Sequence, residues 1–72
     1  MPLGERLRQF RELAGLSQNA LAKRANVPRP IISRVERGDQ DTVTLDTASR
    51  LADALGITLD MLAGRSGRGD AR

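Results

Sequence analysis

The sequence predicts a small all-α domain of five short helices, and three observations carry that prediction. Apolar residues recur at helical spacing in five successive segments. Glycine, proline, serine or threonine stands at the breaks between these segments, where helices end and begin. No segment alternates apolar and polar residues over enough positions for a β-strand. A chain of 72 residues is also near the lower size limit for one hydrophobic core.

The first two helices are predicted over residues 3–14 and from Ser17 to a break at Asn26 and Val27. Gly15 stands where a left-handed residue would end the first helix, and Ser17 is a favourable N-cap for the second. The residues predicted to face the core lie at helical spacing. They are Leu3, Leu7, Phe10, Leu13 and Ala14 in the first helix, and Leu21, Ala22 and Ala25 in the second.

The third helix is predicted from Pro28, because proline suits the first turn of a helix, to a closing Gly38. Ile32 and Val35 form its apolar edge. The opposite edge is polar and carries Arg29, Ser33, Arg34 and Arg37. This helix therefore offers one edge to the core and the other to a polar partner.

The fourth helix is predicted between an N-cap at Thr44 and a terminating Gly56, and the fifth from a cap at Thr58 through Ala63. Their predicted core residues are Leu45, Ala48, Leu51, Ala52 and Leu55, followed by Leu59 and Leu62. We expect residues 1–64 to form the domain and residues 65–72 to form a flexible basic tail, since this end of the chain is glycine-rich and charged.

Composition argues against several classes of function. Without cysteine or histidine, a zinc site is close to excluded, because carboxylates alone rarely build one. We therefore expect no metal and no cofactor. The same composition leaves no nucleophile with a plausible base beside it, so we expect no enzyme. No run approaches the roughly 20 apolar residues of a membrane span, and charges interrupt the N-terminal MPLGERLRQF, which favours a cytoplasmic location.

Charge is distributed unevenly along the chain, although the net charge is only +3. Residues 1–37 carry eight basic and three acidic side chains, whereas residues 38–64 carry one basic and five acidic. This distribution favours a polyanionic partner for the first half and a different neighbour for the second. An ordinary solvated surface can also be uneven in charge, so the charge pattern alone does not identify the partner.

A spaced motif runs from Gly15 to Gly38, GLSQNALAKRANVPRPIISRVERG. It combines a Leu-Ser-Gln opening, a Leu-Ala pair, a small residue, a valine before the turn, and Ile-Ser-Arg-x-Glu-x-Gly. The motif resembles the helix-turn-helix of the Cro and phage-repressor family, also called the xenobiotic-response-element (XRE) family. Residues 45–62, LDTASRLADALGITLDML, resemble that family's fourth and fifth helices. The resemblance covers residues 3–63 and implies a λ-repressor-like fold, double-stranded DNA as partner, and a bacterial or phage-encoded protein.

The resemblance also implies which residues contact DNA. Gln18 matches the family's phosphate-binding glutamine, and Arg37 is expected at a phosphate. Arg29 and Arg34 can each pair with guanine through two hydrogen bonds, and Arg29 could equally take a phosphate. Ser33 could reach a base or a phosphate. The expected DNA-binding set is Gln18, Arg29, Pro30, Ser33, Arg34 and Arg37.

Two features depart from the family's pattern, a proline in the third helix and an acidic loop after it. Pro30 stands where many relatives place a base-reading glutamine, serine or threonine, and proline offers at most an apolar contact to a thymine methyl. Asp39 and Asp41 make the following loop acidic, where relatives often carry a cation or asparagine near phosphate. Either this loop stands away from the DNA or it weakens binding.

Three further residues are expected to be structural. In the family, the glutamate at the position of Glu36 pairs with an arginine of the first helix, and Arg11 occupies the matching place. The resemblance therefore implies an Arg11–Glu36 ion pair that ties the first helix to the third. Phe10 is the only aromatic residue and is predicted to lie in the core. A single aromatic residue disfavours recognition of RNA or single strands by stacking.

Together these observations favour a sequence-specific DNA-binding transcriptional regulator. The simplest form is a repressor that binds a pseudo-palindromic operator as a dimer and occludes a promoter. The alternative is an antitoxin or adaptor whose main role is to bind a partner protein such as a toxin, with DNA autoregulation secondary. The loop DQDTVT and the acidic second half leave room for that alternative.

A homodimer through the end of the fourth helix and the fifth helix is expected, because the apolar residues crowded into this segment are more than one small core can cover. The residues expected at the dimer interface are Ile57, Leu59, Met61 and Leu62. Such a dimer would place two recognition helices about 34 Å apart, one turn of DNA.

Overall fold

The computed structural model describes residues 2–64 and contains five α-helices with no β-strand in that part of the chain. They are α1 (Leu3–Leu13), α2 (Gln18–Ala25), α3 (Arg29–Arg37), α4 (Leu45–Leu55) and α5 (Leu59–Ala63). The predicted five-helix, all-α fold with a helix-turn-helix at the second and third helices is confirmed. The expected tail, residues 65–72, lies outside the described residues.

The helix ends follow local signals in the sequence. The hydroxyl oxygens of Ser17, Thr44 and Thr58 each accept a hydrogen bond from the backbone N–H three residues later, which caps α2, α4 and α5. Pro28 occupies the N-cap position of α3. Asn26, with φ of 57°, is the one non-glycine residue with positive φ within residues 2–64, and its left-handed conformation ends α2 before the turn into α3.

The five helices share one hydrophobic core. α1 packs against α3 and α5, α2 packs against α3 and α4, and α4 packs against α5. Every helix supplies at least one large, fully buried side chain, and these are Leu7, Leu21, Ile32, Val35, Leu51 and Leu62. Full burial of an apolar side chain of this size contributes about 1.5–3 kcal/mol. α3 is therefore fixed along its buried edge by packing against α1 and α2.

Several residues predicted to face the core do not lie there. Phe10 is half-buried, and the exposed residues are Leu13, Ala14, Leu45 and Leu59. At 3.6 residues per turn, Leu13 lies about 120° around α1 from Leu7, so its side chain points away from the core and is 82% exposed. Leu45, 73% exposed, is in the first turn of α4, ahead of the buried turn that contains Leu51. Leu62, expected from the sequence at the dimer interface, is only 2% exposed. It therefore belongs to the core and is not available for a dimer interface.

α1 is joined to its two neighbours by a glycine and an arginine. Gly4 is buried, and a Cβ atom at this position would overlap the backbone carbonyl oxygen of Val35, so glycine allows α1 to approach α3 closely. On the other side, Arg6 donates from Nε to the carbonyl oxygen of Leu62 at 2.9 Å and from Nη2 to that of Ala63 at 3.1 Å. These carbonyls lie in the last turn of α5, where helical partners run out.

Residues 2–64 contain neither a helix that could span a membrane nor a cluster of potential metal ligands. No helix in this part of the chain is long and apolar enough to cross a membrane. The acidic side chains described there form no group of three or more that could hold a metal ion.

Candidate nucleic-acid interface

α3 separates an apolar edge from a polar one. Ile32 and Val35 are fully buried, whereas the opposite side of the helix faces outward. At 3.6 residues per turn, the outward positions lie within about 100° of one another around the helix axis. We call them the outer strip; it consists of Pro30, Arg34 and Arg37, which are exposed, and Ser33, which is half-buried.

Arg29 lies beside the outer strip, on the edge of α3 that faces the start of α2. Its Nη1 donates a hydrogen bond to Oε1 of Gln18 at 3.3 Å. Arg29 is exposed and Gln18 is half-buried. The structure thus brings Gln18 and Arg29, both expected at DNA, into contact across α2 and α3.

An ion pair joins α1 to α3. Arg11 donates two hydrogen bonds to Glu36, from Nε to Oε2 at 2.7 Å and from Nη2 to Oε1 at 2.9 Å. The two side chains are only 12% and 5% exposed. Arg11 also donates from Nη1 to the carbonyl oxygen of Leu16 at 2.8 Å. The pairing implied by the resemblance is present, and it holds the last turn of α3 against α1.

Gln18 connects this ion pair to α2. Its Nε2 donates to Oε1 of Glu36 at 3.0 Å, so the carboxylate of Glu36 accepts hydrogen bonds from both α1 and α2. The sequence predicts Gln18 at a phosphate and does not indicate this contact with Glu36. The spacing of a glutamine along a helix says nothing about its partner, which is set by where the last turn of α3 lies.

The environment of Glu36 keeps its carboxyl group charged. Burial alone would raise the pKa of Glu36, but hydrogen bonds from Arg11 and Gln18 and the positive charges of Arg11 and Arg8 bring it below the ordinary value. The hydrogen bond with Glu36 raises the pKa of Arg11 above its ordinary value, despite the opposing effect of burial. The pair is therefore ionised at neutral pH.

Arg37, at the end of the outer strip, has an acidic neighbour. Its Nη2 lies 3.1 Å from Oδ2 of Asp39, and the two side chains are 64% and 60% exposed. Exposed ion pairs of this kind contribute about 0–1 kcal/mol. Asp39 therefore binds the guanidinium of Arg37 only weakly, and a phosphate would compete with Asp39 for the same N–H donors.

The sequence profile of the helix-turn-helix family matches residues 7–62. The chain belongs to the helix-turn-helix family. The resemblance to the XRE-type helix-turn-helix that the motif from Gly15 to Gly38 carries is confirmed, and the match extends from α1 into α5.

Among proteins of this family, the chain is similar to the HTH-type transcriptional regulator DdrOP3 of Deinococcus deserti. The two are 39% identical over 71 residues, which cover 97% of this chain and 54% of that protein. The chain spans about half the length of the curated relatives it matches.

Two solved helix-turn-helix structures have the same fold. The restriction-modification controller protein C.AhdI from Aeromonas hydrophila superposes with a TM-score of 0.78 at 40% identity, covering 83% of this chain and 89% of that one. SinR, described as the master regulator for biofilm formation and solved in complex with DNA, superposes with a TM-score of 0.82 at 26% identity. That match covers 85% of this chain and 97% of the SinR chain.

Proposed function

We propose that this chain is the DNA-binding part of a transcriptional regulator and that α3 enters the major groove of double-stranded DNA. The observation that carries the proposal is the outer strip of α3, which is polar and basic on a helix whose other edge is fixed in the core. The major groove, about 12 Å wide, admits one α-helix. The fold shared with SinR, which was solved in complex with DNA, supports the same placement.

The residues of this surface divide into base contacts and phosphate contacts. Arg34 is exposed in the middle of the outer strip and pairs with guanine, and Ser33 beside it reaches a base or a phosphate. Pro30, exposed in the first turn of α3, contacts a thymine methyl. Arg37, in the last turn, binds a phosphate in place of Asp39.

The start of α2 supplies a second phosphate contact. The amide nitrogen of Gln18 carries two hydrogens, and Glu36 accepts one of them. The other hydrogen and the backbone N–H groups of the first turn of α2 suit a phosphate oxygen. Phosphate contacts of this kind set the register of the helix on the duplex, and the base contacts then give specificity.

We further propose that the chain acts as a two-fold dimer on a pseudo-palindromic operator, and most simply as a repressor that occludes a promoter. One recognition helix contacts only a few base pairs, so useful specificity needs two half-sites. Leu59 and Met61, 36% and 43% exposed, are the apolar side chains of α5 that a partner would cover. Ile57 is half-buried against the core and lies at the edge of this surface.

Selection of bound sequences from random duplex DNA at two salt concentrations tests the proposal. We expect an enriched pseudo-palindrome whose two halves are separated by about one helical turn. Arg34→Ala should reduce affinity for the selected site by about tenfold or more while changing affinity for random DNA much less. Arg50→Ala is the matched control, because Arg50 is an exposed arginine on α4 that pairs with Asp46. Equal losses on selected and random DNA for Arg34→Ala, or no enriched sequence for the wild type, would contradict the proposal.

A further inference from the structure

We propose that Glu36 acts through Gln18 as a positioning residue for Arg29, so that the ion pair between α1 and α3 also determines how the start of α3 reads its base pair. This inference rests on the proposed function, since it concerns a DNA contact of Arg29. It is carried by four hydrogen bonds that link Arg11, Glu36, Gln18 and Arg29 in series.

The first step is that Glu36 sets the orientation of the Gln18 amide. A glutamine can turn either its nitrogen or its oxygen toward a neighbour, because the nitrogen donates hydrogen bonds and the oxygen accepts them. The charged carboxylate of Glu36 only accepts, so Nε2 of Gln18 faces it, at 3.0 Å. Arg11 holds both oxygens of that carboxylate, at 2.7 and 2.9 Å, which prevents it from turning away.

The second step is that the oriented amide holds Arg29. With Nε2 committed to Glu36, Oε1 of Gln18 is directed to the other side, where Nη1 of Arg29 donates to it at 3.3 Å. A guanidinium only donates, so a reversed amide would place two donors against each other. Arg29 lies in the first turn of α3, where the helix dipole disfavours a cation, and Gln18 provides the acceptor that holds it there.

The third step is the consequence for base reading. Gln18 occupies one of the five N–H donors of Arg29, and the remaining donors can make the two-bond pairing with guanine. A side chain that is already ordered loses less conformational freedom on binding. Arg34 differs, because it has no ion pair or side-chain hydrogen bond within residues 2–64 and must be ordered by the DNA itself.

A double-mutant cycle tests the inference on the full chain. Arg29→Ala first identifies the base pair that Arg29 reads, because discrimination at that base pair is lost in this variant. The measured quantity is the affinity for the selected site divided by the affinity for the same site with that base pair changed. Gln18→Leu keeps the side-chain size and leaves the Arg11–Glu36 pair in place, and it should reduce that ratio by about threefold to tenfold. In the Arg29→Ala background, Gln18→Leu should change the ratio no further.

Glu36→Gln extends the cycle to the positioning residue. It should reduce the same ratio in the wild-type background and have no effect on it in the Gln18→Leu background, whatever it does to stability. Circular dichroism confirms that each variant is folded at the temperature of measurement. If Glu36→Gln is not folded there, the cycle between Gln18 and Arg29 alone decides the question.

The controls separate this inference from the proposed function. Discrimination at the base pair read by Arg34 should be unchanged in Gln18→Leu. If Gln18→Leu weakens binding to both sites equally, Gln18 is a phosphate contact only and the inference is wrong, while the proposed function stands. If Gln18→Leu and Arg29→Ala reduce the ratio independently, the positioning step is also wrong. A wild type that prefers no sequence would overturn the proposed function, and the inference with it.

Discussion

The two halves of the domain hold their surface side chains in different ways. In α1–α3, contacts between helices fix a connected set of charged and amide side chains, from the nearly buried pair of Arg11 and Glu36 through Gln18 to Arg29, although α1 also carries an exposed pair of Arg8 and Glu12. In α4 and α5, the one ion pair within residues 38–64 joins Asp46 to Arg50 four residues away on the same exposed face. Within the described residues, the second half leaves three large apolar side chains exposed, Leu45, Leu59 and Met61, whereas the first half leaves one, Leu13.

This difference shows that the two surfaces have different requirements. A surface that recognises hydrogen-bonding groups needs its donors in fixed positions, and cross-links between helices provide that. A surface that is covered by another protein needs apolar area, and its side chains can adjust as it is buried. The first half therefore suits the proposed contact with DNA, and the second half suits the proposed dimer contact.

Gly4→Ala tests the close packing of α1 on α3, which supports the contacts between helices in the first half of the domain. It should have the largest effect of the variants considered. A methyl group at this position overlaps the backbone of α3 at Val35, so α1 and α3 must move apart. We expect a loss of about 3 kcal/mol in the free energy of unfolding, at the upper end for overpacking. Urea unfolding followed by circular dichroism measures it. Gln9→Ala, at an exposed position of α1, is the control and should change stability by less than about 0.5 kcal/mol. Similar values for the two variants would show that α1 tolerates displacement from α3.

Glu36→Gln and Asp46→Asn together compare one ion pair from each half of the domain. Loss of charge-assisted hydrogen bonds at Glu36 should cost about 2 kcal/mol at neutral pH. Asp46→Asn removes the exposed pair with Arg50 and should cost about 0.3–0.5 kcal/mol. Thermal and urea unfolding of both variants give these numbers, and equal costs would remove the distinction between the two halves.

The pH dependence of the same variant provides an independent measurement. Because the folded-state pKa of Glu36 is lowered, the stability contributed by its charge is fully present above the ordinary pKa of a glutamate. That contribution is lost as the pH falls through the lower, folded-state pKa. The difference in stability between wild type and Glu36→Gln should therefore shrink progressively below about pH 4. A difference that stays constant to pH 2 would show that the charge of Glu36 does not contribute.

Helix order and helix ends could be predicted from the sequence, whereas contacts between helices could not. Caps such as Thr44 and Thr58 act on backbone groups three residues away, so they can be recognised in the sequence itself. The burial of Gly4 depends on where α3 passes across α1, which no local pattern contains. A glycine within a helix suggests only a weak helix former until the neighbouring backbone is seen.

The site was predictable to a similar extent. Amphipathic spacing placed Arg34 and Arg37 on the outward side of α3, and the structure places them there. The link from Glu36 through Gln18 to Arg29 joins residues 11 and 18 positions apart in the chain, so it follows from the packing of α2 and α3. Burial of Leu62 likewise depends on how α5 docks, and this moves the proposed dimer contact to its neighbours.

Met61→Asp tests the second half and should mainly change assembly. A carboxylate on the apolar surface formed with Leu59 would be buried without a partner in a dimer. We expect the variant to be a folded monomer at tens of micromolar protein. Its affinity for a full operator should be lower than that of the wild type by about tenfold or more, and its affinity for a half-site should be unchanged. Sedimentation velocity and operator titrations measure these effects. Leu13→Asp, at the strongly exposed leucine of α1, is the control and should leave the dimer intact. A wild type that is monomeric both alone and on its operator would show that this surface is not a dimer contact.

The smallest expected effect concerns the boundary between the two halves, where Arg37 of α3 pairs with Asp39 of the following loop. In the DNA complex proposed here, a phosphate replaces Asp39, and the exposed ion pair at 3.1 Å must first separate. Removing the carboxylate with Asp39→Asn should therefore strengthen binding to selected and random DNA alike, by about twofold to threefold at low salt. Arg37→Ala should weaken both and reduce the slope of log affinity against log salt by about one unit, as expected for one lost phosphate contact. In the Arg37→Ala background, Asp39→Asn should have a smaller effect than in the wild type, because the competing donor is gone. If Asp39→Asn strengthens binding equally in both backgrounds, Asp39 repels the DNA as a whole and does not compete for Arg37.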